Sequence, residues 1–389
     1  MLAIRAARLF DGLDPVPVER PVLLVADGRV AAVRPGGEVP AGAGVVDLPD
    51  ATLLPGLIDA HTHLAFDASA DPVGSLAAAS DAEVLDRMRR AACTALAAGI
   101  TTVRDLGDRG YLALRLRDEL ARNPTAGPDV LAAGPPITTP GGHCWYLGGE
   151  VTGVDGIRDA VRARAERGVD VVKVMASGGE MTPGTHAHVS QFGPDELRAA
   201  VEEAHRHGLP ATAHAHSGQA IADAVAAGFD SIEHCSFMTE DSVEPLPDVI
   251  DAIVRSGVVV CATVGVLPGG VPPPRIAARI EEFNALFRQM KQAGVTIVCT
   301  SDAGIGPPKP HNVLPYSVIM LVETQGWSPA EALEAATSRA ARLCRIDDRK
   351  GRLAPGLDAD ILAVTGDPLT DPRALLNVAA VFHKGHRTH

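Results

Sequence analysis

The sequence predicts an α/β fold: a (β/α)8 TIM barrel carrying a small β-sandwich domain built from both chain termini. Three observations predict it. Eight apolar runs of strand length recur at rather regular intervals between residues 56 and 301. Segments with helical periodicity separate most of them, the pattern of a parallel sheet covered by helices. Both ends of the chain instead hold short β-like pieces divided by turn signals. Eight strand–helix units over about 290 residues suit a closed barrel. A doubly wound open sheet is the competing arrangement.

The N-terminal pieces are LAIRAARLF (2–10), PVLLVADGRVAAV (21–33) and GVVDLPDATLLP (44–55), with turns at Asp27-Gly28 and Pro35-Gly36-Gly37. The barrel strands follow in order: GLIDAH (56–61), ITTVRDL (100–106), DVLAAG (129–134), VDVVKVMA (169–176), PATAHA (210–215), DSIEHC (230–235), VVVCATV (258–264) and VTIVCTS (295–301). Helical periodicity is clearest over 81–99, 193–208 and 217–230. Further helices are expected over 274–293 and 328–344, the latter opened by Ser328 as N-cap and Pro329 as first helical residue. Gly99, Gly168, Gly208, Gly228 and Gly294 stand where helices should stop. DADILAV (358–364) and AAVFHKG (379–385) close the chain as strands. The expected domains are 1–54 with 350–389 for the small β-sandwich, and 55–349 for the catalytic barrel.

Composition narrows the function. Of 389 residues, 46% are apolar, enough for a sizeable core. Acidic residues outnumber basic ones 48 to 35, a net charge of −13 that disfavours nucleic acid. There is no basic segment leading into an apolar leader and no run of 18 apolar residues, so no membrane partner is expected. None of the six cysteines forms a CxxC pair. Free thiols in a reducing, cytoplasmic setting are expected.

The chemistry gathers at strand ends. The first strand ends in Asp59-Ala60-His61-Thr62-His63, and residues two apart on a strand point the same way. His61 and His63 thus face one mouth, where two imidazoles can grip a metal ion. Alone, such a pair can equally be two hydrogen-bonded loop histidines. Lys173 is the first lysine in the chain and sits among Val171, Val172, Val174 and Met175. Burial there drives the amine towards neutrality, and a neutral amine can add carbon dioxide to become an anionic, two-oxygen carbamate. The bland alternative is a lysine snorkelling to the strand end. Strand 5 ends in His214-Ala215-His216, strand 6 in Glu233-His234 and strand 8 in Ser301-Asp302. Ligand-type residues on five strands, all at one end, point to a metal centre, and that end is where a barrel keeps its catalytic groups.

On these residues the chain resembles the amidohydrolase superfamily of metal-dependent hydrolases. The matching pieces are PGLIDAHTHL (55–64), GITTVRDLGD (99–108), VKVMASGG (172–179), EEAHRHGLPATAHAH (202–216), AGFDSIEHC (227–235), TSDAG (300–304), SPAEALEAATSRAARL (328–343) and PGLDADILAVTGDPL (355–369). The branch it most resembles is the imidazolonepropionase-like and Xaa-Pro dipeptidase-like group, which includes ochratoxin-type amidases. The resemblance implies two divalent metal ions, with zinc the default. His61 and His63 would bind the more buried ion, and His214 and His234 the more exposed one. Lys173, as N6-carboxylysine, would bridge both, and Asp302 would touch the first ion and serve as proton shuttle. His216 faces the same mouth, within reach of substrate. Two divalent ions set against carbamate, Asp302 and hydroxide leave a charge of about +1, which the tetrahedral oxyanion would cancel.

Other residues complete the expected site. Gly141-Gly142-His143 follows strand 3, and its histidine is similar to a carbonyl or oxyanion contact in the related group. Trp145 and Tyr146 follow it, as pocket lining or loop anchor. Arg104-Asp105 reads as a barrel ion pair. The segment 182–193, with His186 and His188, reads as a mobile lid after strand 4. His311 follows strand 8 and is a candidate substrate contact. The 182–193 loop and Cys261-Ala262-Thr263 on strand 7 depart from the relatives' pattern, which bears on the substrate and not on the metal site.

The expected activity is hydrolysis of an amide C–N bond, in a peptide-like compound, an N-acyl amino acid or a cyclic amide, by a hydroxide bridging two metals. The small-molecule substrate would be the main partner, and a homo-oligomer is the family expectation. Hydrolysis of a lactone, carbamate or organophosphate ester is the alternative. A mononuclear deaminase fits less well, because no glutamate follows His214. A metal-free scaffold fits least, because every expected ligand is present.

Overall fold

The computed structural model describes residues 1–389. Each of the eight barrel runs forms a strand: Leu57–Thr62, Ile100–Asp105, Asp129–Ala132, Val172–Met175, Ala211–Ala215, Ser231–His234, Val259–Thr263 and Ile297–Thr300. All neighbouring pairs are parallel, the first three strands in one sheet and the other five in a second. Backbone hydrogen bonds cross both seams. Ile137 bridges strands 3 and 4, donating to Lys173 O and accepting from Met175 N, both at 2.8 Å. Asp302 N donates to His61 O at 2.8 Å, and His63 N to Ala303 O at 2.9 Å.

Helices lie between the strands for reasons visible in the chain. Asp81–Ala97 opens with a capping box in which Ser80 and Glu83 satisfy each other's backbone N–H groups. Pro194–Arg206 begins on proline and carries Asp195 and Glu196 in its first turn. Gly99, Gly168, Gly208, Gly228 and Gly294 all adopt positive φ, the left-handed stop expected of them. Two expected helices are broken. The run 274–293 splits into Pro274–Ala277 and Ile280–Gln292, because the Arg279 guanidinium takes the Arg275 carbonyl at 2.9 Å that a continuing helix would use. The run 328–344 splits into Pro329–Ala335 and Ser338–Leu343. There Thr337 Oγ1 bonds back to Leu333 O at 2.7 Å, and Ile58 N on strand 1 takes Ala336 O at 2.8 Å.

The terminal pieces come together in one small β domain. Its eight strands are joined by continuous hydrogen bonding, and strands from opposite ends of that order pack face to face, Phe382 against Leu23 and Val30. Gly44–Pro55 lies near its centre, parallel to Leu2–Leu9 on one side and antiparallel to Ile361–Thr365 on the other. Its alternating residues bury both faces. Ile4, Leu23, Leu53, Ile361 and Phe382 pack together, while Ala3, Val22 and Leu24 form a smaller cluster of their own. The Asp27-Gly28 turn has positive φ at both residues, as a tight hairpin between Pro21–Ala26 and Arg29–Pro35 requires. Gly56 joins the sheet to the first barrel strand, where any Cβ would stand 2.2 Å from Thr101 Oγ1. No helix is long and apolar enough to cross a membrane.

Candidate metal centre

His61 and His63 stand at the end of the first strand, with Nε2 atoms 3.3 Å apart. Asp302 Oδ1 lies 3.4 Å from the first and 3.3 Å from the second. The bonds that close strand 8 onto strand 1 set this geometry, helped by Ser301, whose N and Oγ both donate to the buried Asp59 carboxylate. Gly304 follows with φ of +103°, and a Cβ there would stand 2.3 Å from His63 O. Asp302 and His234 also lie in the left-handed region, at φ 60° and 67°. Such backbone strain persists where a side chain must be aimed.

His214, His216 and His234 form a second cluster, and within each cluster the ligand-type atoms lie within 4.8 Å of one another. The His61 and His234 rings, 5.1 Å apart, connect the two. One nitrogen of each ring has a close polar neighbour. His63 Nδ1 lies 3.3 Å from Gly107 O, and His61 Nδ1 lies 2.7 Å from Glu233 Oε2. His214 Nε2 lies 3.1 Å from Gly178 O, and His234 Nδ1 lies 2.9 Å from Thr263 Oγ1. His216 Nδ1 lies 2.7 Å from Ser236 Oγ. A ring that donates from one nitrogen presents a lone pair on the other. His63 therefore offers Nε2 and His214 offers Nδ1, the arrangement by which outer partners orient metal-binding histidines.

Lys173 is 1% exposed, and its Nζ has no hydrogen-bond partner. Burial lowers its pKa. Its charge in turn bears on His61, His214 and His234. An orphaned buried amine near two clusters of imidazole and carboxylate donors fits a pair of divalent cations joined by a modified lysine. The other charges agree. Burial and Lys173 push His61 down to about 4, and burial pushes His216 down to about 4. His214 and His234 fall well below the ordinary value through burial and neighbouring imidazoles. These four rings are neutral at neutral pH, the form that binds metal. Burial works against charge at His63 too, but the Asp302 carboxylate prevails and raises its pKa. Asp302 itself resists burial and stays well below the usual carboxylate range, because His61 and His63 face it.

The Gly-Gly-His loop places His143 over the second cluster, its ring 4.6 Å from that of His214. His143 is buried, its Nδ1 is unpartnered, and burial holds its pKa down to about 3. Its backbone N donates to Gln191 Oε1 at 2.6 Å, and Cys144 N donates to Thr182 Oγ1 at 2.9 Å. Both acceptors sit on the segment expected as a lid. That segment is also bonded to strand 4, with Gly178 N on Val189 O at 3.0 Å and Gln191 N on Ala176 O at 2.8 Å. It is thus stitched to the His143 loop and the barrel rim. His186 and His188 lie outside both clusters, and His188 Nδ1 lies 3.2 Å from an Arg275 nitrogen. Tyr146 packs beside Phe66, with ring centroids 6.5 Å apart, and its hydroxyl donates to Cys144 Sγ at 3.6 Å. Trp145 is largely exposed beside it. His311 is engaged elsewhere: its Nε2 lies 3.1 Å from His63 O, where it braces the ligand strand.

Two relationships escaped the sequence reading. Arg104 and Asp105 do not pair with each other. Arg104 pairs with Glu233 at 3.0 Å, both fully buried, while Asp105 accepts Leu64 N at 2.8 Å and Gly107 N at 3.1 Å. In the sequence Glu233 stands out only as the residue before His234. Like Lys173, it is a charge in an apolar strand, and that signal alone calls for a buried partner. Second, His216 joins His214 and His234 in one cluster, whereas alternation along the strand only placed it at the same mouth.

The model of the amidohydrolase family matches residues 52–388. The chain belongs to the amidohydrolase family. It is 28% identical to the ochratoxinase of Aspergillus niger, over 98% of this chain and 84% of that one. It is also 28% identical to the imidazolonepropionase of Salinispora tropica, over 90% of this chain and 87% of that one. A solved Xaa-Pro dipeptidase with methionine bound in its active site superimposes with a TM-score of 0.88 at 28% identity, covering 99% of both chains. The family and these relatives are hydrolases with the TIM-barrel fold and small domain. The amidohydrolase described here shares that architecture along its whole length, and the branch is the one its motifs resemble.

Proposed function

We propose that the protein hydrolyses an amide C–N bond in a small peptide-like, N-acyl amino acid or cyclic amide substrate, at a binuclear metal centre in a closed barrel. One observation carries this reading: two clusters of ligand-type side chains converge near the buried, unpartnered amine of Lys173. His61, His63 and Asp302 would hold one ion, and His214 and His234 the other. Lys173 would bridge them after its neutral amine adds carbon dioxide, forming an N–C bond and releasing one proton. Zinc suits this mixture of imidazole and carboxylate. Bound there, the ions would supply an activated water at neutral pH and polarise the scissile carbonyl.

The side chains do the rest. Asp302, held ionised, accepts a proton and passes it to the leaving amine. His143, neutral and with Nδ1 free, is placed to meet the substrate oxygen as charge builds there. His216, in the second cluster, and Tyr146, packed on Phe66, would contact the substrate. The relatives support an amide substrate: one is called a dipeptidase and holds methionine in its active site, and another is called an imidazolonepropionase. Six free cysteines, five of them buried, support a cytoplasmic setting. A library of dipeptides, N-acyl amino acids and lactams, assayed with added zinc, tests the proposal. Metal-dependent turnover of amides is expected. Full activity after exhaustive chelation, or turnover confined to esters, would overturn it.

A further inference from the structure

We infer that Glu233 is a positioning residue for the metal centre, fixing the proton of His61 on Nδ1 so that Nε2 stays free to bind a cation. This rests on the metal-centre reading above and adds a residue to it. Glu233 is fully buried on strand 6, and its two oxygens have different tasks. Oε1 receives the Arg104 guanidinium at 3.0 Å and the Thr212 hydroxyl at 2.6 Å. Ser231 Oγ supports this grip from 2.8 Å, donating to Thr212 Oγ1. Oε2 is left facing His61 Nδ1 at 2.7 Å. Arg104 is anchored in turn, its Nε donating to Ala60 O at 2.7 Å. Strands 1, 2, 5 and 6 therefore combine to hold one carboxylate oxygen against one imidazole nitrogen. The two atoms are close without an aligned hydrogen bond, and no other group bonds to either.

The two-sided grip makes the substitution Glu233→Gln diagnostic. Arg104 and Thr212 both donate, so the amide oxygen must take the Oε1 place. The amide NH2 then faces His61 and donates to Nδ1. The His61 proton moves to Nε2, and the lone pair that would meet the cation is lost. A merely structural glutamate would not single out one ion of the pair.

The test is equilibrium binding of cobalt(II) to metal-stripped full-length protein, against a competing chelator, followed by the visible absorption of the bound ion. The wild type is expected to bind two ions. E233Q is expected to bind one with unchanged affinity and the other about 10–100-fold more weakly, the usual cost of losing an outer partner of a metal-binding histidine. Two ions bound by E233Q with wild-type affinity would overturn the inference and leave the metal centre standing. A wild type that takes up no cobalt would overturn both. Circular dichroism of the stripped proteins monitors folding. If E233Q does not fold, Thr212→Val keeps the buried charge pair and only loosens the carboxylate. A several-fold weakening confined to one ion then supports the inference, and wild-type binding of both overturns it.

Discussion

Asp302 Oδ1 stands 3.3 Å from His63 Nε2, and the carboxylate and imidazole shift each other's pKa in opposite directions. In the proposed mechanism the carboxylate serves as the ionised base. Asp302→Asn keeps the shape and removes the base. Turnover of the best amide should fall about 10²–10⁴-fold, while the stripped protein melts within a few degrees of wild type. Comparison of kcat with thermal melting checks this. A D302N variant with near wild-type kcat would remove Asp302 from proton transfer.

Lys173→Met separates two roles. The buried amine has no partner in the folded chain, and an unsatisfied buried polar group costs about 1–3 kcal/mol. The metal-free variant should therefore be as stable as wild type or more so, by up to a few degrees in Tm. The zinc-loaded comparison should reverse, because the bridge is gone. Metal content measured beside calorimetry would show fewer ions per chain. An unchanged metal count would contradict the bridging role.

Acid should unfold the metal-free protein early. Burial holds His61, His143 and His216 down to about 4, 3 and 4, below the 6.5 of an exposed histidine. The unfolded chain therefore binds protons first. The stability these rings contribute is full above pH 6.5 and drains away as pH falls towards 4. The shifts are worth roughly 3–5 kcal/mol each. Urea unfolding at pH 7, 6 and 5 checks the sign: the midpoint should drop at each step. A flat profile would show that these rings are solvated.

Gly179→Ala tests the placement of His143. A Cβ at Gly179 would stand 2.5 Å from the His143 ring. The ring can swing away, so the fold should tolerate the change. The substrate contact should not: kcat/KM should fall about tenfold or more, as misplacing a catalytic group by about 1 Å can cost 10²-fold. Metal content should stay at the wild-type value. Unaltered kinetics would mean that His143 plays no part in the reaction.

Much of this was legible in the chain. The barrel strands were visible because each is a short apolar run ended by a turn, and five of the helices stop on glycine. The ligand-type residues were visible because histidine, lysine and aspartate are costly at the ends of apolar strands unless they have work to do. What escaped depends on three-dimensional partners. Arg104 announces a buried partner, but only the packing of strands 2 and 6 names Glu233. His311 reads from sequence as a candidate substrate contact, and only the folded chain brings it to the His63 carbonyl. The broken helices depend on Ile58 and Arg279 capturing carbonyls, which periodicity does not register.

The strand Gly44–Pro55 runs straight into the ligand strand, yet one of its edges is covered by Ile361–Thr365. On the ribosome, that edge must wait for about 300 further residues to be made, an adhesive flank exposed for most of translation. The first histidines of the centre are among the earliest synthesised, and the strand feeding them is among the last to be secured.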